Sequence, residues 1–316
     1  MFGKLIVFLL VISAGAISLT GKTGINYIPD WSSGESFEFN ITRIKDIKEP
    51  GKPVSSDTVQ YTAFFKVIED EGDKYRINWR FKTDFSASFK IPPEIASQLD
   101  EYTNTEIIYT ANKKGKFIEI ENWRDLGRLK SDFYSKVAEL FHKNYQIDTN
   151  ELKNIFDILL EPFNSQESIE YNAFLEIPTL HLPFGQSYTE PDVNSSQTPQ
   201  PDTLKSSFLI RDHLLFVEKI DFDNNIIEAY EIINYEPDKI KEDKKRQLRN
   251  NYESDEQLEE GMKDIQYEKK ERIKYSLKIN PRIPEKVNYE YENIMNMKGV
   301  QLYKFERITV ELIKDH

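Results

Sequence analysis

The sequence predicts an α+β fold rich in β-structure. We expect a curved antiparallel sheet or incomplete barrel made of two meanders, with a helical pair covering one face. Aromatic residues make up 13% of the 316 residues, and aromatic rings pack well on a pleated surface. Many segments alternate apolar and polar residues, as half-buried strands do. Residues 126–161 instead have the three- and four-residue spacing of amphipathic helices.

The clearest strand signal is a hairpin at residues 105–122. Its first arm is rich in β-branched and aromatic side chains, and its second arm alternates apolar and polar residues. Between the arms, residues 112–115 form a turn cluster that ends in Gly115, which can adopt a positive φ. A similar hairpin is predicted near the C-terminus, at residues 273–293, with a proline-marked connection.

The first meander is assigned to residues 17–125. Three further strands are predicted at residues 37–44, 58–69 and 74–84, before the hairpin. In the first of them Phe37, Phe39 and Ile41 share one face, because side chains alternate along a strand.

The helical pair is assigned to residues 126–161. Asp148 is a plausible N-cap for the second helix, and Pro162 ends it. Two apolar stripes define the helices: Leu126, Leu129, Phe133, Val137, Leu140 and Phe141 in the first, and Leu152, Ile155, Phe156, Leu159 and Leu160 in the second.

The second meander is assigned to residues 162–316. Its strands are predicted at residues 171–177, 203–210, 214–222, 226–234, 273–279, 286–293 and 300–313. A Gly-x-Ser-aromatic sequence starts at Gly34 and again at Gly185, which suggests two related halves.

A charged excursion interrupts the second meander at residues 237–272. Leu258, Met262 and Ile265 keep helical spacing there. We interpret it as a solvated helix or a partly disordered segment. The alternative interpretation is an arm that binds a partner.

The N-terminus has the pattern of a secretory signal peptide, residues 1–16. Lys4 supplies a positive charge, residues 5–12 are apolar, and Ala14-Gly15-Ala16 is a cleavage pattern. The apolar run is shorter than the ~20 residues of a spanning helix. We therefore predict cleavage near Ala16, a periplasmic or secreted protein, and no membrane span in the mature chain.

Charge and cysteine content exclude several classes of function. The formal net charge of −12 argues against binding to duplex nucleic acid, which needs a basic surface. The chain has no cysteine, so disulfides and thiol catalysis are excluded. In its content of Lys, Ile, Asn, Glu and Tyr and in its layout, the chain resembles exported proteins of Bacteroidota, which implies a place in the bacterial envelope.

The sequence contains no recognisable catalytic, cofactor or metal motif. Its four histidines, His142, His181, His213 and His316, are far apart, so no metal site is predicted. The calcium-like sequence that begins at Asp221 lacks the glycine and glutamate of a calcium loop and is interpreted as a hairpin turn. We predict no catalytic residues and no cofactor. The acidic pairs Glu119/Glu121 and Glu290/Glu292 are interpreted as solvated sheet faces.

Our leading hypothesis is a non-enzymatic envelope protein. It would bind an apolar small molecule or an envelope protein in a concavity between sheet and helices, with Trp31, Trp123, Phe133 and Phe156 as ligand-binding residues. The alternatives are a carboxylate-based glycan hydrolase of the envelope and an interaction module acting through residues 237–272.

Overall fold

The computed structural model describes residues 24–84, 91–189, 193–196, 209–249 and 254–315. The predicted signal peptide and residues 203–208 of the predicted strand at 203–210 lie outside these ranges. Eleven strands form one antiparallel sheet that is curved and not closed. Two further short strands, at Gly24–Tyr27 and Gln186–Thr189, pair with each other in a second sheet. The predicted α+β, β-rich fold class is therefore confirmed.

The strands are numbered in chain order. They are β1 Gly24–Tyr27, β2 Ser36–Lys48, β3 Ser55–Asp70, β4 Lys74–Lys82, β5 Asn104–Asn112, β6 Phe117–Ile120, β7 Gln186–Thr189, β8 Val193–Ser196, β9 Ile210–Asp221, β10 Ile226–Tyr235, β11 Ile265–Lys278, β12 Ile283–Met297 and β13 Val300–Asp315.

The large sheet consists of two meanders that meet at its centre. Its order is β6-β5-β4-β3-β2-β13-β12-β11-β10-β9-β8, and all neighbouring strands are antiparallel. The first meander runs outward from β2 to one edge, and the second runs inward from the other edge to β13. The two meanders therefore meet where β2 pairs with β13.

One face of the large sheet, here called the inner face, holds the main core. It carries alternate residues of every long strand, such as Phe39 of β2, Phe65 of β3, Trp79 of β4 and Tyr275 of β11, all fully buried. This follows from the strand period of two. The residues between them face the opposite, outer side, where polar and charged side chains are more frequent.

Seven α-helices lie in the described part of the chain. They are α1 Pro93–Ala96, α2 Trp123–Tyr145, α3 Thr149–Leu160, α4 Gln166–Ser168, α5 Glu176–His181, α6 Pro237–Leu248 and α7 Asp255–Met262. Two 3₁₀ turns, Asp100–Tyr102 and Glu161–Phe163, and one π-helical turn, Ile169–Ala173, complete the helical structure.

The inner face is covered mainly by the segment from Ile169 to Tyr188. Its residues Ile177, Leu180, Phe184 and Tyr188 belong to the main core. The helical pair α2–α3 packs instead with α1 around a second, smaller core that contains Ile95, Leu99, Phe133, Val137 and Leu140. Only the start of α2, at Trp123 and Leu126, reaches the main core.

Two predicted local features differ in the structure. Residues 171–177 are not a strand, because they contain part of the π-helical turn and the start of α5. The Gly-x-Ser-aromatic sequences occupy unlike places: Ser36 begins a strand of the large sheet, whereas Gln186 begins β7 of the two-stranded sheet. The similarity of these two sequences therefore marks no structural repeat.

The charged excursion is shorter than predicted. Its helices are α6 and α7, separated by residues 250–253, which lie outside the described ranges, and Ile240, Leu258 and Met262 anchor them in the main core. Strand β11 already starts at Ile265, so residues 265–272 belong to the sheet. Their charged residues Lys269 and Glu271 sit at inward positions, which hides the strand period from a search for apolar alternation.

Candidate functional site

A cavity of about 570 Å³ lies between the inner face of strands β11–β13 and the helical segments that cover it. Such a volume suits a small-molecule ligand. Three surfaces form it: the sheet, the π-helical region and α6. The lining consists of Glu167, Tyr171, Asn172, Leu175, Leu209, Asp243, Lys244, Gln247, Lys269, Glu271, Tyr289, Tyr291, Lys304 and Glu306.

The floor of the cavity contains a row of three residues across the sheet. Glu271 of β11 pairs in register with Tyr291 of β12, and Tyr291 pairs with Glu306 of β13. Since adjacent strands lie about 4.8 Å apart, the backbones of the two glutamates are roughly 10 Å apart. Two buried carboxylates therefore flank one tyrosine.

A row of lysines lies two residues away on the same face. Lys269 and Lys304 are both in register with Asn293. Lys269 Nζ is 3.4 Å from Glu271 Oε1, and Lys304 Nζ is 3.4 Å from Glu306 Oε2. The site thus contains the same Lys-x-Glu pair on both strands that border β12.

The lysines also contact aromatic rings. Lys269 Nζ lies 3.8 Å from the centre of the Tyr235 ring and 5.4 Å from that of Tyr291. Lys304 Nζ lies 5.5 Å from the centre of the Tyr291 ring. These distances fit cation–π contacts, so both ammonium groups lie within reach of the Tyr291 ring.

Burial changes the titration of the tyrosines around the cavity. It raises the pKa of the Tyr289 hydroxyl well above its usual value, and the charge of Glu271 adds to the effect. Burial and the nearby Glu170 and Glu167 raise the pKa of Tyr171 to about 12. These phenols are therefore neutral at physiological pH and can donate hydrogen bonds.

Glu271 has one carboxylate oxygen without a hydrogen-bond partner. Its side chain is 3% exposed. The Tyr235 hydroxyl donates to Oε1 at 2.6 Å, but Oε2 is buried and receives no hydrogen bond within the described residues. Burying an acceptor without a hydrogen bond costs free energy. In native proteins a buried atom of this kind can mark a functional site.

Glu306 is held more firmly than Glu271. The Nε of Arg43 donates to Glu306 Oε1 at 2.6 Å, and its other two nitrogens donate to the carbonyl oxygens of Ala173 and Asn172. Arg43 thereby ties the sheet to the π-helical wall of the cavity. Behind it, the Tyr61 hydroxyl donates to Glu176 Oε1 at 2.5 Å, and burial raises the pKa of Glu176.

A second buried polar network lies on strands β9–β11, outside the cavity lining. His213 Nε2 is 2.7 Å from Glu231 Oε2, and the Gln186 amide and the Tyr275 hydroxyl donate to Oε1. Burial alone would raise the pKa of Glu231, but these hydrogen bonds outweigh it and lower the pKa. Because the described partners satisfy this carboxylate, we assign the network a structural role.

The four predicted ligand-binding residues do not line the cavity. Trp31 is 4% exposed in the main core, against Phe65 and Phe184. Trp123 packs beside the main core under the guanidinium of Arg124. Phe133 and Phe156 belong to the smaller core. The structure therefore does not bring the four together, and a binding role for them stays a prediction.

The acidic pairs noted in the sequence lie away from the cavity. Glu119 and Glu121 are exposed on the edge strand β6 and the residues after it. Glu290 faces outward between Arg307 and Arg272, where it forms ion pairs. No group of three or more potential metal ligands occurs among the residues described.

Comparisons with known proteins identify no family for the chain. No protein-family model matches it, and no curated protein sequence matches it. A structure of lipid–protein interactions in lipovitellin aligns with 9% identity and a TM-score of 0.43. That alignment covers 91% of this chain, which spans only 26% of the lipovitellin chain.

A second structure, of the attachment invasion locus protein Ail of Yersinia pestis, aligns with 6% identity and a TM-score of 0.16. It covers 89% of this chain and all of that one. With TM-scores below 0.5, neither likeness supports an argument about function. Within the described ranges, every helix is too short or too polar to cross a membrane.

Proposed function

We propose that the protein is an exported, non-enzymatic binding protein of the bacterial envelope that holds a ligand in the cavity between β11–β13 and the helices. The observation that supports this most directly is a cavity of ligand size whose floor carries Tyr291 between two strands that each contribute a Lys-x-Glu pair.

The residues that line the cavity indicate the chemical type of the ligand. The sequence alone favours an apolar small molecule or an envelope protein. Carboxylates, lysines and tyrosines predominate in the cavity, and a purely apolar molecule would take water from these groups without replacing its hydrogen bonds. We therefore propose a ligand that carries polar groups.

Native mass spectrometry of the protein purified from its own envelope tests the proposal. We expect a co-purifying mass, which the variant Asn172→Trp should lose because the indole would fill the cavity. The control Asn164→Trp, at an exposed position outside the lining, should retain it. A wild-type protein without ligand, or a mass retained by both variants, would contradict the proposal.

The proposed location rests on the signal-like sequence at residues 1–16. Export predicts that the protein is found in the periplasm or the medium and that its mature chain begins near Ile17. Cell fractionation followed by N-terminal sequencing measures both. A cytoplasmic protein that retains Met1 or Phe2 at its N-terminus would contradict export.

One observation favours the enzymatic alternative. Glu271 and Glu306 form a carboxylate pair in one cavity, as glycoside hydrolysis requires. Each of them, however, has a cation within 3.4 Å, an arrangement that suits fixed binding groups better than a proton donor. Incubation with envelope oligosaccharides should therefore give no hydrolysis product, and a product lost in Glu271→Gln would establish the enzyme instead.

A further inference from the structure

We infer that the cavity binds a hydroxyl-rich neutral ligand of the saccharide class, held by the two Lys-x-Glu pairs on either side of Tyr291. This inference rests on the proposed binding function and specifies its ligand. Three features of the cavity support it: the four charged side chains Lys269, Glu271, Lys304 and Glu306, the charge balance of the lining, and the aromatic floor.

The two Lys-x-Glu pairs match the hydrogen-bonding properties of hydroxyl groups. A carboxylate can only accept, and an ammonium group can only donate, whereas a hydroxyl does both. In each pair the ammonium and a carboxylate oxygen are 3.4 Å apart, so a donor and an acceptor for neighbouring hydroxyls lie side by side at the cavity. Two such pairs, on β11 and β13, can hold a ring from two sides.

The charge balance of the lining favours a neutral ligand. Four carboxylates, those of Glu167, Asp243, Glu271 and Glu306, face three ammonium groups, those of Lys244, Lys269 and Lys304. A strongly anionic or cationic ligand would have to break the existing ion pairs and desolvate the released charges, which is costly at buried positions. A neutral polyol can add hydrogen bonds while the ion pairs stay in place.

The floor supplies the apolar part of the contact. Tyr289 and Tyr291 occupy alternate positions of β12 and both line the cavity. Aromatic rings present an apolar face with a polar edge, a surface on which the C–H groups of a sugar ring can pack. The volume of about 570 Å³ accommodates a mono- or disaccharide.

Isothermal titration calorimetry of the mature protein tests the inference. The probes are glucose, galactose, N-acetylglucosamine, cellobiose, maltose and xylobiose, with laurate as an apolar probe. We expect saturable binding of at least one saccharide. Glu271→Gln should weaken it by about tenfold or more, since a hydrogen bond to a charged group contributes about 1.5–3 kcal/mol.

The matched control is Glu290→Gln, on the adjacent strand and the outer face, which should leave the affinity unchanged. Lys269→Met provides a second test if Glu271→Gln does not fold. Equal weakening in Glu290→Gln would place the saccharide outside the cavity and overturn the inference. Binding of laurate alone, blocked by Asn172→Trp, would overturn the saccharide class but leave the binding function standing. No binding of any probe and no co-purifying mass would overturn both.

Discussion

The guanidinium of Arg43 on β2 donates a 2.6 Å hydrogen bond from Nε to Glu306 Oε1 on β13. It also donates to the carbonyl oxygens of Asn172 and Ala173. One side chain therefore fixes the boundary between the two meanders and the wall of the cavity. The side chain of Arg43 is 24% exposed, and the side chain of Glu306 is almost completely buried.

Replacing Arg43 by methionine should destabilise the protein strongly. The change keeps the aliphatic stem but leaves the buried Glu306 with Lys304 alone and two carbonyl oxygens without donors. Breaking one side of a buried pair costs about 3–5 kcal/mol. Urea unfolding should show a loss of that order, whereas Arg307→Met, whose ion pair with Glu290 lies on the outer face, should cost about 0.5 kcal/mol or less. Equal losses of stability in the two variants would contradict the structural role assigned to Arg43.

The stability of the protein should decrease as the pH falls from 6.5 towards 4 because of His181. Burial lowers the pKa of this histidine to about 4, against about 6.5 when unfolded. Below pH 6.5 the unfolded chain binds a proton that the folded protein excludes, so unfolding becomes more favourable. Between pH 7.5 and 5.0 this group alone should lower the free energy of unfolding by about 2 kcal/mol.

Urea unfolding at the two pH values, for the wild type and for His181→Gln, isolates this effect. The variant loses contacts with the Tyr109 hydroxyl and the Gly115 carbonyl, so it should be less stable at both pH values. Its stability should nevertheless fall less with pH than that of the wild type. An identical pH dependence in the wild type and His181→Gln would contradict the prediction.

Alanine should be tolerated much less at Gly115 than at Gly51. Both glycines have positive φ, 81° and 70°, so both substitutions strain the backbone. A Cβ on Gly115 would lie 2.7 Å from the Cβ of Phe184, whereas nothing lies within 4 Å at Gly51. Thermal unfolding should show an additional loss of about 1–3 kcal/mol for Gly115→Ala, the cost of overpacking a core. A similar loss of stability at both sites would contradict the prediction, because the residues around position 115 would then have moved to make room for the new Cβ.

Replacing Phe133 by aspartate should unfold the helical pair without unfolding the sheet. Phe133 is 3% exposed in the smaller core, which is distinct from the main core. A buried charge and the lost packing together cost about 4 kcal/mol or more. Hydrogen exchange should show lost protection in α2 and retained protection in β11–β13. Loss of protection in both α2 and β11–β13 would contradict the prediction, because the two cores would then unfold together.

The sequence was informative wherever inward positions are apolar. The hairpin β5–β6, the strands β2–β4 and the amphipathic helices all follow the ordinary apolar periods, and the structure has them close to the predicted places. Leu258 and Met262 were also identified as an apolar stripe and are buried. In these elements burial and hydrophobicity coincide, so pattern alone is sufficient.

The candidate site was missed because its inward positions are charged. In β11 the inner face carries Lys269 and Glu271 beside Ile273, so the first half of the strand looked like a solvated helix. One signal was available: the sequence Tyr267 to Ile273 keeps a strand period if Lys269 and Glu271 are accepted as inward residues. Their surroundings include Tyr235 and Tyr291, which belong to other strands and are brought beside β11 by the strand order.

The strand order also bears on how the protein reaches this structure. Strands β2 and β13 pair along twelve registered positions, from Tyr303 with Lys48 to Asp315 with Phe37, so the middle of the sheet is formed by residues more than 250 positions apart. Closing so long a loop is entropically costly and slows folding. During synthesis the first meander has a free edge at β2 until the last strand is made. If the chain is exported, the sheet can be completed only after β13 has followed β2 across the membrane.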